Sequence, residues 1–258
     1  MKRYILYVLI CLSSLTVSAQ SLTEKAEEAY MSDKYSEAVD IYEEIMQKEG
    51  ISSDLYYNIG NAYYKSGRLG KAVLYYERAL LLDPNNEDAQ VNLDFVKTKL
   101  TDKLDFNENI VDSFVRNFRN LASPNGWAVV AIASFLLLLC AVAVYFFSNV
   151  VLLRKIGFFG GFLFLVVCII ANVMAVKTAN AVTGSNYAVV MKNVTILSTS
   201  PREPRSKAEE AFMLHEGAKV EMLDSVVVKL DSIQQKWYDV KADDTHRAWI
   251  NGADIEKI

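Results

Sequence analysis

Hydrophobic and polar positions follow three different patterns along the chain. Between residues 20 and 100, apolar residues recur every three to four positions, which predicts amphipathic helices. Two almost uninterrupted apolar runs follow, at residues 127–147 and 156–176. From Tyr187 onwards, short β-branched and aromatic runs lie between turn residues. We therefore expect a multidomain membrane protein with a helical region, two spanning helices and a small all-β module.

The clearest helical pattern contains two stripes of core positions separated by Gly67. The stripe residues are, in chain order, Tyr56, Ile59, Gly60, Tyr63, Ala72, Tyr76 and Ala79. Pro84 ends the pattern, because proline cannot continue a helix. The small residues at Gly60, Ala72 and Ala79 would let two antiparallel helices approach closely.

The segment YYNIGNAYYKSGRLGKAVLYYERALLLDPNN, from Tyr56 to Asn86, closely resembles the tetratricopeptide repeat. A weaker repeat precedes it over residues 20–52, and a single closing helix follows over residues 87–100. The first repeat has Ala26, Ala38, Tyr42 and Ile45 at matching core positions. The resemblance implies an all-α repeat solenoid over residues 20–100, defined by Gly60, Tyr63, Ala72, Tyr76, Ala79 and Pro84.

A second stripe is rotated away from the core positions. In tetratricopeptide repeats the matching positions line the groove that holds a partner's peptide or helix. The predicted partner-binding residues are Tyr30, Tyr57, Asn61, Tyr64, Lys65, Phe95 and Lys99. Asn61 and Lys65 could bond a partner's backbone or carboxylate, and the tyrosines could supply stacking area. The alternative is that these side chains pack between neighbouring repeats.

Residues 1–19 are predicted to form a secretory signal peptide. Lys2 and Arg3 precede an apolar run, and the small residues before Gln20 suit a cleavage site after Ala19. The alternative is an uncleaved membrane anchor.

Each apolar run is long enough to cross a hydrocarbon core of about 30 Å. Arg154 and Lys155 lie in the predicted link, residues 148–155, which the positive-inside rule places in the cytoplasm. The signal peptide would export residues 20–126, and two crossings would return residues 177–258 to the same outer side. We therefore expect a two-pass protein with both flanking parts outside the cytoplasm.

The two spans each contain small residues at positions where helices could meet. Counting outward from Arg154 and Lys155 puts Cys140 and Cys168 at similar depth, and we interpret them as packing residues, with a redox pair as the alternative. The spacing of Gly157 and Gly161 would let another helix approach, which leaves a homo-oligomer open.

Residues 101–126 contain an amphipathic helix before the first span. It could lie on the outer leaflet or cap the repeats, and the sequence leaves both open.

The C-terminal part begins with a linker at residues 177–186 and continues as a β-rich module at residues 187–258. Predicted strands lie at residues 187–191, 194–198, 218–223, 226–230, 237–241 and 247–251. The runs AVVMKNVTIL, LHEGAKVEML and WYDVKADDTHRAWINGADIEKI resemble a bacterial SH3-type domain, which implies a small all-β SH3-like barrel. We interpret His215 and Glu216 as a structural turn before the strand at 218–223, rather than as a metal or catalytic pair.

Charge and residue types exclude several functions. The net charge of −4 and the lack of a basic patch argue against nucleic-acid binding. No group of residues in the sequence suits catalysis, a metal or another cofactor, so we expect a protein that is not an enzyme.

The order of signal peptide, tetratricopeptide repeats, two-span hairpin and SH3-like domain resembles the BatE proteins of bacterial aerotolerance (Bat) operons. The resemblance covers nearly the whole chain. It implies an inner-membrane scaffold that faces the periplasm, assembles with von Willebrand A-domain membrane proteins of the same operon and contributes to oxidative-stress tolerance or envelope integrity. The alternative is a tether whose SH3-like domain binds peptidoglycan, with Trp237, Tyr238 and Trp249 as candidates for sugar stacking.

Overall fold

The computed structural model describes residues 21–104, 110–230 and 233–258. The predicted signal peptide, including Cys11, lies outside the described residues. The helices are α1 Leu22–Met31, α2 Tyr35–Glu49, α3 Ser53–Lys65, α4 Leu69–Leu82, α5 Glu87–Lys97, α6 Ile110–Arg119, α7 Pro124–Phe147 and α8 Val151–Thr183. The strands are β1 Tyr187–Val190, β2 Val194–Ser198, β3 Glu210–His215, β4 Lys219–Leu230, β5 Ile233–Lys241, β6 Arg247–Asn251 and β7 Ile255–Lys257.

The chain divides into two compact units, of which the first ends at Gly50. Its two described helices are α1 and α2, and α1 begins with a capping box between Ser21 and Glu24. The predicted core residues of the first repeat, Ala26, Ala38, Tyr42 and Ile45, are all buried. The first unit is therefore a helical hairpin whose small and large positions match those expected of a repeat.

The second unit begins at Ile51 and opens with the hairpin of α3 and α4. Ser52 caps α3 by accepting a hydrogen bond from the Leu55 backbone. The Tyr76 ring lies so close to Gly60 that a β-carbon at Gly60 would come within 2.7 Å of it. Most of the predicted stripe is buried, and Tyr56 is half-buried. Gly60 is required here because any side chain would separate the two helices.

The closing helix α5 is held to the repeat by Asn86. Its side-chain oxygen accepts from the Ala89 backbone at 2.9 Å, which caps α5. Its amide nitrogen donates to Ser53 Oγ at 2.9 Å, and that hydroxyl donates to the Ala79 carbonyl. A single asparagine thus joins the starts of α3 and α5 to the end of α4.

The helices α7 and α8 form an antiparallel hairpin, and both are long and apolar enough to cross a membrane. They extend beyond the predicted spans, and only residues 148–150 separate them. The link is shorter than expected because Arg154 and Lys155 lie inside the first turns of α8 rather than before it. Neither residue disfavours a helix.

The short link overturns the expectation that the two cysteines lie at the same depth. Cys168 Sγ lies 3.7 Å from the carbonyl oxygen of Ala131 on the facing helix. Ala131 precedes Cys140 by nine residues, or about 14 Å along the helix. Cys140 and Cys168 therefore lie at different levels, and the structure does not place them as a redox pair.

The Gly157 and Gly161 pair packs inside the hairpin. A β-carbon at Gly157 would come within 2.8 Å of the Ala141 carbonyl oxygen and 2.9 Å of the Tyr145 nitrogen, both backbone atoms of α7. Gly161 faces the Ala141 and Leu138 side chains. The GxxxG spacing thus brings the two helices of one chain together.

This packing predicts that Gly157→Ala destabilises the full-length protein in detergent by about 1–3 kcal/mol, since a methyl group would force two backbones apart. Gly160 is the matched control, because nothing lies within 4 Å of a β-carbon at that position. Thermal unfolding should show a lower midpoint for Gly157→Ala and an unchanged or higher midpoint for Gly160→Ala. Equal midpoints for the two variants would contradict the assignment.

The amphipathic helix α6 contacts the open end of the hairpin, where α7 starts and α8 ends. The Phe118 ring lies 5.5 Å from the Trp127 ring and packs against the buried cluster of Trp127, Ala131 and Ala171. Phe114, one turn earlier, is 69% exposed. These contacts place α6 against the hairpin, at the end where α7 starts.

The C-terminal module is a seven-stranded antiparallel sheet, curved into a half-barrel, with the strand order β3-β2-β6-β5-β4-β1-β7. The predicted strands at 218–223 and 226–230 are one continuous strand, β4, with an irregular register between Met222 and Asp224. Strand β3 was not predicted. Asp243 accepts from the Thr245 and His246 backbones and forms the expected turn between β5 and β6.

Candidate partner-binding groove and the adjoining interface

Five of the predicted groove residues lie on α3, on α5 and just after α5. We call this set the groove surface: Tyr57, Asn61, Tyr64, Phe95 and Lys99. The Tyr64 and Phe95 rings meet edge to face at 5.9 Å. Lys99 Nζ donates to Tyr64 Oη at 2.6 Å and lies 4.6 Å from the centre of the Phe95 ring. The structure therefore brings together residues that are more than thirty positions apart in the sequence.

The side-chain oxygen of Asn61 already accepts hydrogen bonds from within the fold. It accepts from Tyr76 Oη at 2.7 Å and from Asn92 Nδ2 at 2.8 Å. Asn92 also reaches Tyr57 Oη at 3.5 Å. The carbonyl side of Asn61 therefore fixes α3 against α4 and α5 instead of being open to a partner.

Asn92 is the residue of this surface that sequence reasoning missed. It lies three positions before Phe95 and seven before Lys99, so its helical spacing places it on the same face of α5. That spacing is the feature of the sequence that could have identified Asn92 as a residue of this surface.

Two predicted groove residues are not part of this set. Lys65 is exposed at the last turn of α3. Tyr30 belongs to the first compact unit, where its ring lies 5.5 Å from the Tyr35 ring.

Val91 lies next to the groove surface and forms an exposed apolar pair with its member Phe95. Val91 is 65% exposed and Phe95 is 49% exposed, one helical turn apart on α5. Lys99 lies at the next turn. Aromatic side chains are enriched at protein interfaces and carry much of the binding energy there. Phe95 and Lys99 of the groove surface, together with the neighbouring Val91, form the region best suited to a partner.

The opposite side of the repeat packs against the β-module. Helix α4 contacts β1, and charged pairs join α4 to β7. Lys71 Nζ lies 2.6 Å from Glu256 Oε2, and Arg78 donates to the Lys257 carbonyl at 2.6 Å.

Glu77 is the most enclosed charge in this interface, with 11% of its side chain exposed. It lies 2.7 Å from Lys219 Nζ on β4 and 3.4 Å from Lys97 Nζ on α5. Burial raises the pKa of Glu77, but the combined attraction of Lys219 and Lys97 outweighs it and lowers the pKa below 4.5. Glu77 is therefore ionised at neutral pH and joins three elements.

His215 and Glu216 lie in the same interface. His215 binds Asp102 twice, through its backbone nitrogen at 2.6 Å and through Nδ1 at 2.9 Å. Glu216 accepts from the Gly70 backbone at the start of α4 at 2.8 Å. The pair thus ends β3 and joins the module to the repeat, in keeping with the structural interpretation. Within residues 21–104, 110–230 and 233–258, no three His, Cys, Asp or Glu residues cluster in a way that could hold a metal ion.

The three aromatic residues considered for sugar stacking do not share one surface. Trp237 is 1% exposed, and Tyr238 packs against the core of the β-module. Neighbouring residues of a strand point to opposite faces, so Trp237 and Tyr238 cannot stack on the same sugar ring. Trp249 is half-buried on β6.

Comparison with known proteins agrees with this geometry over one segment. Residues 53–86, which cover α3, α4 and the turn after them, match the tetratricopeptide repeat family. No curated protein matches the chain. The repeat prediction for this segment is therefore confirmed, and it indicates a protein that interacts with other proteins.

Proposed function

We propose that this protein is a membrane-tethered scaffold that binds partner proteins through the groove surface. The tetratricopeptide repeat supports protein partners, since such repeats bind peptides and helices on an extended face. The observation that carries the proposal is the exposed pair Val91 and Phe95 beside Lys99. An acidic or amide-rich partner segment with an apolar side chain would suit this combination.

Several features support the membrane tether. Large side chains such as Phe146, Phe147 and Phe159 on α7 and α8 are at least 68% exposed, which water would disfavour and lipid would not. The open end of the hairpin carries both flanking parts on one side. Together with the predicted signal peptide and the cations at the closed end, this supports a two-pass inner-membrane protein whose repeats and β-module face the periplasm.

We further propose that the β-module is SH3-like and that the scaffold belongs to a Bat-type complex for aerotolerance or envelope stress. The order of the parts supports this, and von Willebrand A-domain membrane proteins of the same operon are the partners it suggests. The scaffold function does not require the protein to be an enzyme or to hold a cofactor. The wall-tether alternative has weaker support, because Trp237 is enclosed.

The test compares Phe95→Ser with Ile51→Ser in the full-length protein after crosslinking in cells. Both side chains are similarly exposed, at 49% and 55%, but Ile51 lies outside the groove surface. Loss of an anchoring side chain should weaken partner binding by about thirtyfold. We expect Phe95→Ser to remove most of the captured protein and Ile51→Ser to retain it. An unchanged partner set in a correctly folded Phe95→Ser variant would reject the groove.

A further inference from the structure

A cavity of about 480 Å³ lies where the repeat, the open end of the hairpin and the β-module meet. Its lining includes side chains from four parts of the second unit. They include Glu77, Leu80, Lys97, Arg119 and Lys219.

The cavity is rich in positive charge. Among its lining side chains, Lys97, Arg119 and Lys219 are cationic, and Glu77 is the one carboxylate. Glu77 faces both lysines, so it offsets only one of them. Arg119 Nε lies 3.4 Å from Asn120 Oδ1, and no carboxylate in the described ranges forms an ion pair with Arg119. The lining side chains are therefore net positive, and the main-chain carboxylate of Ile258 at the same cavity offsets only part of that charge, a balance that suits an anion.

The position of Arg119 relates the cavity to the membrane surface. The Trp127 indole nitrogen donates to the Arg119 carbonyl oxygen at 2.8 Å, which fixes Arg119 over the first turn of α7. The apolar segment from Asn125 to Phe147 has 23 residues and is about 35 Å long, which is slightly more than a hydrocarbon core of about 30 Å. Tryptophan prefers the boundary between hydrocarbon and water. Arg119 would therefore lie at the level of the lipid headgroups.

We propose that this cavity binds the phosphate of an anionic phospholipid headgroup, an inference that rests on the proposed membrane tether. Guanidinium and ammonium groups are the usual protein ligands of phosphate, and basic pockets beside spanning helices bind lipid headgroups. Leu80 on α4 adds an apolar wall suited to the glycerol and the first methylene groups. The bound lipid would contact the repeat, the hairpin and the β-module together. Inorganic phosphate would bind the same cations, and the experiment distinguishes it from the lipid.

The test uses delipidated full-length protein in detergent and native mass spectrometry. Phosphatidylglycerol should be retained more strongly than phosphatidylcholine. Arg119→Gln should weaken phosphatidylglycerol binding about fivefold, since one cation near a lipid surface is lost, and Arg119→Lys should restore most of it. Lys155→Gln is the matched control, because it removes one cation at the closed end of the hairpin and should change nothing. Inorganic phosphate added at the lipid concentration should leave the bound lipid in place.

Equal retention of the two lipids, or equal losses in Arg119→Gln and Lys155→Gln, would overturn the proposal. Displacement of the lipid by inorganic phosphate would overturn the lipid assignment. Failure of the membrane tether gives a different result: the protein would then remain soluble without detergent and would not enter phosphatidylcholine vesicles. If the protein enters those vesicles but does not retain phosphatidylglycerol selectively, only the headgroup site is rejected.

Discussion

Replacing Tyr76 with alanine is expected to lower the free energy of unfolding of the repeat by about 3–5 kcal/mol. Tyr76 is fully buried, its ring fills the space above Gly60, and its hydroxyl donates to Asn61. The substitution would remove the ring from the centre of the hairpin and leave the Asn61 oxygen with one donor fewer. Hydrogen exchange of α3 and α4 in the full-length protein measures the change locally.

Tyr76→Phe is the matched control for this prediction. It keeps the ring against Gly60 and removes only the hydroxyl, so the expected cost is about 1 kcal/mol. If both variants cost the same, the ring would not be the source of the stability. A global thermal midpoint would be a poorer measure, since the apolar hairpin in detergent adds its own transition.

Replacing Glu77 with glutamine is expected to destabilise the interface between the repeat and the β-module by about 2 kcal/mol at neutral pH. The change leaves Lys219 and Lys97 facing each other without a carboxylate between them. Both lysines are partly exposed, at 28% and 45% of the side chain, so water reduces the cost below that of a fully buried pair. Hydrogen exchange of β1 and β4 should report the loss.

The same substitution should change how stability depends on pH. The pKa of Glu77 is lowered in the folded protein, so its stabilising effect is complete above 4.5 and is lost as the pH falls through the folded-state pKa. Wild type and Glu77→Gln should therefore differ most at neutral pH and converge in acid. Asp244→Asn, which removes an exposed partner of Lys241, is the control and should have a small effect at all pH values. A Glu77→Gln difference that persists in acid would rule out this explanation.

The repeat could be predicted because its information is local. Gly60, Tyr63, Tyr76 and Ala79 occur at helical spacing within one segment, and the structure buries them as that spacing requires. The spacing also placed Asn61 on the groove side. It could not reveal that Asn92, thirty-one positions later, would share the Asn61 oxygen with Tyr76, because side-chain networks depend on how helices meet.

The C-terminal module was less predictable for a related reason. Strand β3 lies at the edge of the sheet, and only Leu214 among its residues is buried, so its sequence lacks the clear alternation of a strand that is buried on one face. The interface between the repeat and the β-module could not be predicted either. Glu77 meets Lys219 across 142 positions, and neither residue belongs to a recognisable pattern. Contacts between parts that lie far apart in the chain could not be predicted from local patterns.

The ion pairs that join α4 to the β-module also determine how the protein should be divided for crystallisation. The parts before and after the hairpin would each expose cut surfaces if expressed alone, since Lys71 and Arg78 would lose Glu256, and Glu77 would lose Lys219. A short flexible peptide in place of α7 and α8 would keep both halves in one soluble polypeptide. That shortened chain is the form in which we expect well-ordered crystals.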